Sequence, residues 1–183
     1  MHLSVLLALH DGFEEVEAVT PLDLLRRAGL EVVAVACQDE LTVRGRSGIT
    51  LLADTSLAEL PDQEWALLVV PGGPAVKQGL REHAGLRQLL QVQADHGGWI
   101  GAICAAPLVL HDAGLLAGKR FTAHPSALGE LGDPAPGDVV RDGRLITSRG
   151  AGTAVPFSLA LIEALCGAET ARNVADSICW PNG

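Results

Sequence analysis

The run Trp99-Ile-Gly-Ala-Ile-Cys104-Ala-Ala-Pro107 decides the reading of this chain. Five residues without charge lead into a cysteine, small residues stand two before it and two after it, and a proline follows. A small-x-nucleophile-x-small spacing suits a buried strand that turns sharply into a helix, because bulky side chains would collide across so tight a corner. Pro107 fits the first helical turn, where no amide partner is needed. A thiol at that corner would face a helix N-terminus, whose partial positive charge favours thiolate. The plain alternative is a cysteine buried in an apolar core.

The rest of the chain alternates short apolar runs with helical patterns. Leu3–Leu9 reads as a buried strand, Glu14–Ala28 as a helix closed by Gly29, and Glu31–Ala36 as a second strand. Ala66–Val70 is a third strand, cut off by Pro71-Gly72-Gly73-Pro74. Leu86–His96 is an amphipathic helix, Trp99–Ile103 the strand of the corner, and Ala105–Ala113 its helix. Two runs within Val139–Arg149 flank Asp142-Gly143, a hairpin signal. Helices follow at Thr153–Leu165 and Glu169–Ile178. Such alternation predicts a mainly parallel sheet with helices on both faces. Ligands of such sheets sit beyond the strand C-termini, where Glu14–Glu17, Pro71–Pro74 and Cys104 all fall.

Composition sets bounds. A length of 183 residues suggests one domain, residues 1–183, with a sizeable core. Aromatics make up 3% and tyrosine is absent, so Leu, Val, Ile and Ala must build that core. A net charge of −9 argues against general affinity for nucleic acid or an anionic membrane. No stretch approaches a transmembrane span, and Met1-His2-Leu3-Ser4 lacks a charged leader, so a cytoplasmic location is expected. The four cysteines, Cys37, Cys104, Cys166 and Cys179, form no CxxC pair, so free thiols are expected. No histidine spacing suggests a metal site.

Four constellations carry chemistry. Three acids open the first helix: Glu14, Glu15 and Glu17. The helix dipole explains two of them. The third, buried beside a thiolate, would be raised in pKa and would hold the sulfur as a protonated donor, the two titrating as a pair. The glycines of Pro71-Gly72-Gly73-Pro74 let amides approach a ligand, and one of them with the amide after Cys104 would form an oxyanion hole. His124, following a strand pattern, is a candidate base for a thiol. Arg149, in Thr147-Ser-Arg-Gly-Ala-Gly-Thr153, and Arg46 are candidate sources of positive charge, although a surface position explains either. Thr153 is placed to cap the long helix.

Together these stretches resemble the ThiJ/PfpI superfamily, in the group of the parkinsonism-associated protein deglycase and bacterial YajL. The matching motifs are GFEEVEAVTPLDLLRRAG (12–29), VVPGG (69–73), AICAAP (102–107), AHP (123–125) and TSRGAGT (147–153). The resemblance implies a flavodoxin-like three-layer α/β/α sandwich with a nucleophile elbow. It matches Cys104 to the oxidisable cysteine, Glu17 to the protonated glutamate on its sulfur, and Gly73 and Ala105, beside Gly72, to the anion pocket. It matches His124 to a nearby histidine, and Arg46 and Arg149 to residues lining the site, Arg46 reaching in across a homodimer interface at the first helix.

The chain departs from related branches at Ala105, where the proteases have histidine. It departs again at Ala106 and Leu108, where the amidotransferases have a C-x-G-x-Q pattern. Ala151 replaces a proline common in TSRGPGT. The activity implied is a cofactor-independent glyoxalase or deglycase for methylglyoxal, glyoxal and their early adducts on protein or nucleotide, protective under carbonyl and oxidative stress. The rival is an oxidation-sensing cysteine protein with holdase chaperone activity.

Overall fold

The computed structural model describes residues 3–61 and 63–181. What the sequence suggests of Met1 and His2 lies outside them. The elements run β1 (Ser4–Leu9), α1 (Glu15–Arg27), β2 (Glu31–Ala36), β3 (Thr42–Arg44), β4 (Thr50–Leu52), β5 (Thr55–Ser56), β6 (Leu67–Val70) and α2 (Ala84–Asp95). They continue with β7 (Trp99–Ile103), α3 (Pro107–Asp112), α4 (Leu128–Leu131), β8 (Val139–Asp142), β9 (Leu145–Ser148), α5 (Ala154–Cys166) and α6 (Ala168–Ser177).

Seven strands form one sheet in the order β5-β2-β1-β6-β7-β9-β8. Every neighbouring pair is parallel except β8–β9. Helices α1, α5 and α6 pack together on one face, and α2 and α3 against β7 on the other. This is the α/β flavodoxin-like sandwich. The central strands carry apolar residues on both faces, since both are covered: Val5–Leu9 and Leu67–Val70 are fully buried. Gly101 lies in β7 because a Cβ there would stand 3.0 Å from Leu161 and 3.1 Å from Phe157 of α5. Its absence lets α5 settle on the sheet.

Where boundaries differ from expectation, capping is the reason. The helix expected from Leu86 starts at Ala84, because His83 accepts the Leu86 amide at its Nδ1 (3.2 Å). The helix expected over Ala105–Ala113 is only Pro107–Asp112, since Cys104–Ala106 are spent on the turn. The hairpin loop is Gly143-Arg144 rather than Asp142-Gly143, with Gly143 supplying φ +60. Thr153 precedes α5 but does not cap it with its side chain. Its hydroxyl donates instead to Gly150 O (2.8 Å) and meets Ser148 Oγ at 2.6 Å, tying together the turn after β9. The β3–β4 hairpin, which pairs Thr42–Arg44 with Thr50–Leu52, has no counterpart in the sequence reading; its strands are only three residues each.

Candidate active site

The site lies at the C-terminal ends of β1, β6 and β7. Cys104 directly follows β7 and has φ 66, a left-handed conformation that a side chain rarely adopts. Two backbone bonds hold it there: its amide donates to Ser148 O (2.8 Å), and its carbonyl accepts from the His124 amide (2.8 Å). The strained corner lifts the thiol out of the strand toward the turn after β6, as in a nucleophile elbow.

The three acids of α1 have three separate jobs. Glu14 is the N-cap, and its Oε2 accepts the Glu17 amide at 2.8 Å. Glu17, 1% exposed, reaches the site instead of solvent. Its Oε2 accepts the Gly72 amide at 3.0 Å, and its carboxyl is hydrogen-bonded to Cys104. Glu15 turns the other way and is also buried. It accepts the Ser47 amide at 2.6 Å and so clamps the turn that carries Arg46. Burial would raise the Glu15 carboxyl, but the amides of Glu15, Ser47 and Ile49 and the Ser47 hydroxyl hold it below the ordinary carboxylate range. Sequence reasoning assigned Glu15 only to the helix dipole. Its real partner is 32 residues away along the chain, so local spacing carries no sign of it.

Burial is the main force on the pair. It lifts the Glu17 carboxyl to about 7; the Glu14 charge adds to this, while Cys104, the Gly72 amide and Arg46 oppose it. Burial also lifts the Cys104 thiol, to about 12, with the charge and hydrogen bond of Glu17 in support. The amides of Gly73 and Ala105 pull the thiol the other way. These amides act in the direction the sequence reading expects of the helix start, and burial beside a carboxyl opposes them. Two groups in such contact titrate as a unit. The pair gives up one proton near neutrality, and the second only when the pocket is made to hold two negative charges.

The glycines divide their labour. Gly72 spends its amide on Glu17, not on an incoming ligand. Gly73, at φ +96, directs its amide to Cys104. Neither tolerates a side chain. A Cβ on Gly72 would lie 2.6 Å from Glu17 Oε2 and 2.7 Å from Cys104 Cβ, and one on Gly73 2.6 Å from Gly12 O.

A cavity of about 260 Å³ opens over Cys104, with Arg46, Gly73, Lys77, Ala105, His124 and Ser126 in its wall. Arg46 therefore lines the pocket of its own chain, which corrects the expectation that it arrives from across an interface. The reason is local: its amide donates to Phe13 O (2.9 Å), which docks the β3–β4 turn beside the start of α1. Arg149 is corrected as well. Its guanidinium pairs with Asp138 at 2.9 Å and lines the adjoining cleft with His124, outside the Cys104 cavity. The His124 ring bonds to Ser126 rather than to Cys104. Its Nδ1 accepts the Ser126 amide (3.2 Å) and meets Ser126 Oγ at 2.8 Å. Accepting at Nδ1 leaves the ring proton on Nε2. Lys77 and Ser126 are pocket residues that the sequence reading missed. Lys77 sits on a wide helical turn, Val76–Leu80, closed by Arg81 N–H to Val76 O.

The other thiols have different surroundings. Cys37 is buried, which pushes its thiol up to about 12, whereas Cys179 is exposed. Among the described residues no cluster of His, Cys, Asp or Glu is arranged to hold a metal, and no helix is long and apolar enough to cross a membrane.

The model of the DJ-1/PfpI family matches residues 3–164. The chain belongs to the DJ-1/PfpI family. It is 38% identical over 182 residues to protein dj-1beta of Drosophila melanogaster, covering 97% of both chains. The crystal structure of Drosophila melanogaster DJ-1beta superposes with a TM-score of 0.94 at 37% identity, covering all of both chains. A Caenorhabditis elegans relative described as glutathione-independent glyoxalase DJR-1.2 is 33% identical, covering 91% of this chain and 90% of that one. The family resemblance drawn from the five motifs and the flavodoxin-like architecture both hold.

Proposed function

We propose that the chain is a cysteine-dependent glyoxalase that needs no cofactor, converting methylglyoxal or glyoxal to the hydroxy acid. One observation carries this reading. A nucleophile-elbow cysteine shares a buried hydrogen bond with a carboxyl that burial raises far above its ordinary range, beside two amides directed at the sulfur. The glyoxalase name of the Caenorhabditis elegans relative agrees with it.

In this reading the pair's single negative charge sits on Cys104 Sγ and the proton on Glu17. The sulfur attacks the aldehyde carbon, and Glu17 protonates the oxygen to give a hemithioacetal. The amides of Gly73 and Ala105 hold the developing oxyanion. Glu17, now ionised, takes the hydrogen from the former aldehyde carbon and returns it to the neighbouring carbon. The hemithioacetal hydroxyl proton passes to the neighbouring oxygen, a thioester results, and water cleaves it to the hydroxy acid and the thiolate, a proton of that acid returning to Glu17. The balance is dicarbonyl plus water to hydroxy acid: one carbon is oxidised as its neighbour is reduced. His124, with its proton on Nε2, assists as a donor to the substrate oxygen.

The same attack on early adducts would make the protein a deglycase, protective under carbonyl stress. Lactate release from methylglyoxal by wild type and Cys104→Ser tests the proposal. Wild type is expected to form lactate and the variant none; equal rates would overturn it. Following free aldehyde beside an authentic adduct separates the two substrates. Adduct loss that only tracks aldehyde removal would exclude direct deglycation.

A further inference from the structure

We infer that the Cys104 cavity selects dicarbonyls that carry an anionic end, a carboxylate or a phosphate, and that Lys77 is a specificity-determining residue for them. The inference rests on the glyoxalase reading for its substrate, but its electrostatic basis stands apart from turnover.

The chain is strongly acidic, with a net charge of −9, yet the residues lining this cavity include Arg46, Lys77 and His124 and no carboxylate. Glu17 lies beneath Cys104, its Oε2 turned to the Gly72 amide. Among the described residues Arg46 has no ion-pair partner. Lys77 Nζ stands 4.0 Å from Glu130 Oε1, the outer limit of pairing, with its side chain 57% exposed. Glu130 is shared: its other oxygen, Oε2, accepts from Arg81 at 2.8 Å. Arg81 is further committed to Asp112 through two bonds, at 2.6 and 2.9 Å. Arg81 thus shares Glu130 with Lys77, whose side chain stays mostly exposed and lines the cavity wall.

Methylglyoxal and glyoxal have no charge with which to use two cations. A dicarbonyl with an anionic tail does, its reactive aldehyde on Cys104 and its tail toward Lys77 and Arg46. The hydroxy acid product, itself a carboxylate, would meet the same pair. The reaction balance is unchanged, since the tail takes no part in bond making.

The test uses the full chain and a Lys77→Gln variant, an exposed position where folding is not at stake. Alkylation of Cys104 by iodoacetate and by iodoacetamide, read on the Cys104 peptide by mass spectrometry, reports the local charge without any turnover. The iodoacetate-to-iodoacetamide rate ratio is expected to fall by about threefold in the variant, and the difference to shrink in high salt. An unchanged ratio overturns the inference. In parallel, kcat/KM is measured for carboxyethylglyoxal, hydroxypyruvaldehyde phosphate and uncharged propylglyoxal. The ratio of either anionic substrate to propylglyoxal is expected to drop about threefold on Lys77→Gln. The two anionic arms tell a carboxylate preference from a phosphate one. Equal losses for charged and uncharged substrates overturn the inference. If no dicarbonyl is turned over while the alkylation ratio still responds to Lys77, the glyoxalase reading fails and the anion selectivity stands.

Discussion

Gly72 donates its amide to Glu17 Oε2 at 3.0 Å, and a single methyl group on Gly72 would touch both Glu17 and Cys104. The turn after β6 thus sets the spacing of the acid and the thiol. Gly72→Ala is expected to destabilise the fold by about 1–3 kcal/mol, the usual cost of overpacking a closed site. It should also push Glu17 off Cys104, so that alkylation of Cys104 changes more than alkylation of Cys179. Thermal unfolding and peptide mapping check this; a variant with wild-type midpoint and labelling would contradict it.

Glu15 is the anchor of the turn that presents Arg46. Replacing it by alanine removes the acceptor of the Ser47 amide. It also removes the acceptor of the Ile49 amide, and the expected cost is about 1.5–3 kcal/mol, the worth of hydrogen bonding to a charged group. Amide exchange at Ser47 and Ile49 should speed up, while the strands of the main sheet keep their protection. Unchanged exchange at those two amides would show that Glu15 does not hold the turn.

The Cys104–Glu17 pair makes stability depend on pH with a definite sign. Folding raises the pair's first proton loss from the 4.5 of a free carboxyl to about 7, and its second from the 9.0 of a free thiol to about 12. In each interval the folded chain binds the extra proton, so stability must fall as pH rises. The pair's contribution is fully present below 4.5, declines toward about 7, and declines again from 9.0 toward about 12. Glu17→Gln abolishes the first decline. Its unfolding midpoint, relative to wild type, should therefore rise between the two lower values and level off above them. Denaturant titrations across that range decide it; a difference that stays flat or falls would contradict the raised carboxyl.

A homodimer through the first helix is expected, with the apolar residues of that helix, not its terminal arginines, carrying the contact. Arg26 and Arg27 are already engaged within the chain, by Asp54 and Asp23. The exposed apolar residues include Val16 and Val19 on α1 and Ile49 and Leu52 at the β3–β4 hairpin. The Glu15–Ser47 bond draws these two regions together. An isologous contact through such a face would bury it. Sedimentation should give twice the 19.0 kDa chain mass, and Val16→Glu should shift the protein toward the monomer. A wild-type monomer at micromolar concentration would contradict the assignment.

The fold was legible wherever a local pattern reported a local cause. The apolar runs of β1, β2, β6 and β7 are continuous because helices cover both sheet faces. The Ala102-Ile-Cys104-Ala-Ala106 spacing marked the elbow because the steric limit acts within five residues. What stayed hidden depends on partners distant in sequence. Glu15 and Ser47, Arg149 and Asp138, and Glu17 and Gly72 lie 32, 11 and 55 residues apart. Lys77 was passed over because its place in the pocket wall comes from the wide turn after Pro74, which no periodicity announces. The burial of the thiol beside Glu17 stayed hidden for a related reason. A helix dipole is suggested by sequence, whereas burial beside a carboxylate appears only once the chain is folded.

Thiolate absorbance of Cys104 against pH, in wild type and Glu17→Leu with Cys37, Cys166 and Cys179 replaced by alanine, tests the charge assignment most directly. With the shared charge on sulfur, wild-type thiolate should appear as the pair loses its first proton at about 7, and Glu17→Leu should move it upward, since the donor is lost and the burial remains. If wild-type thiolate appears only toward about 12 and Glu17→Leu moves it downward, the charge resides on Glu17 and the proposed nucleophile is not the resting state of the site.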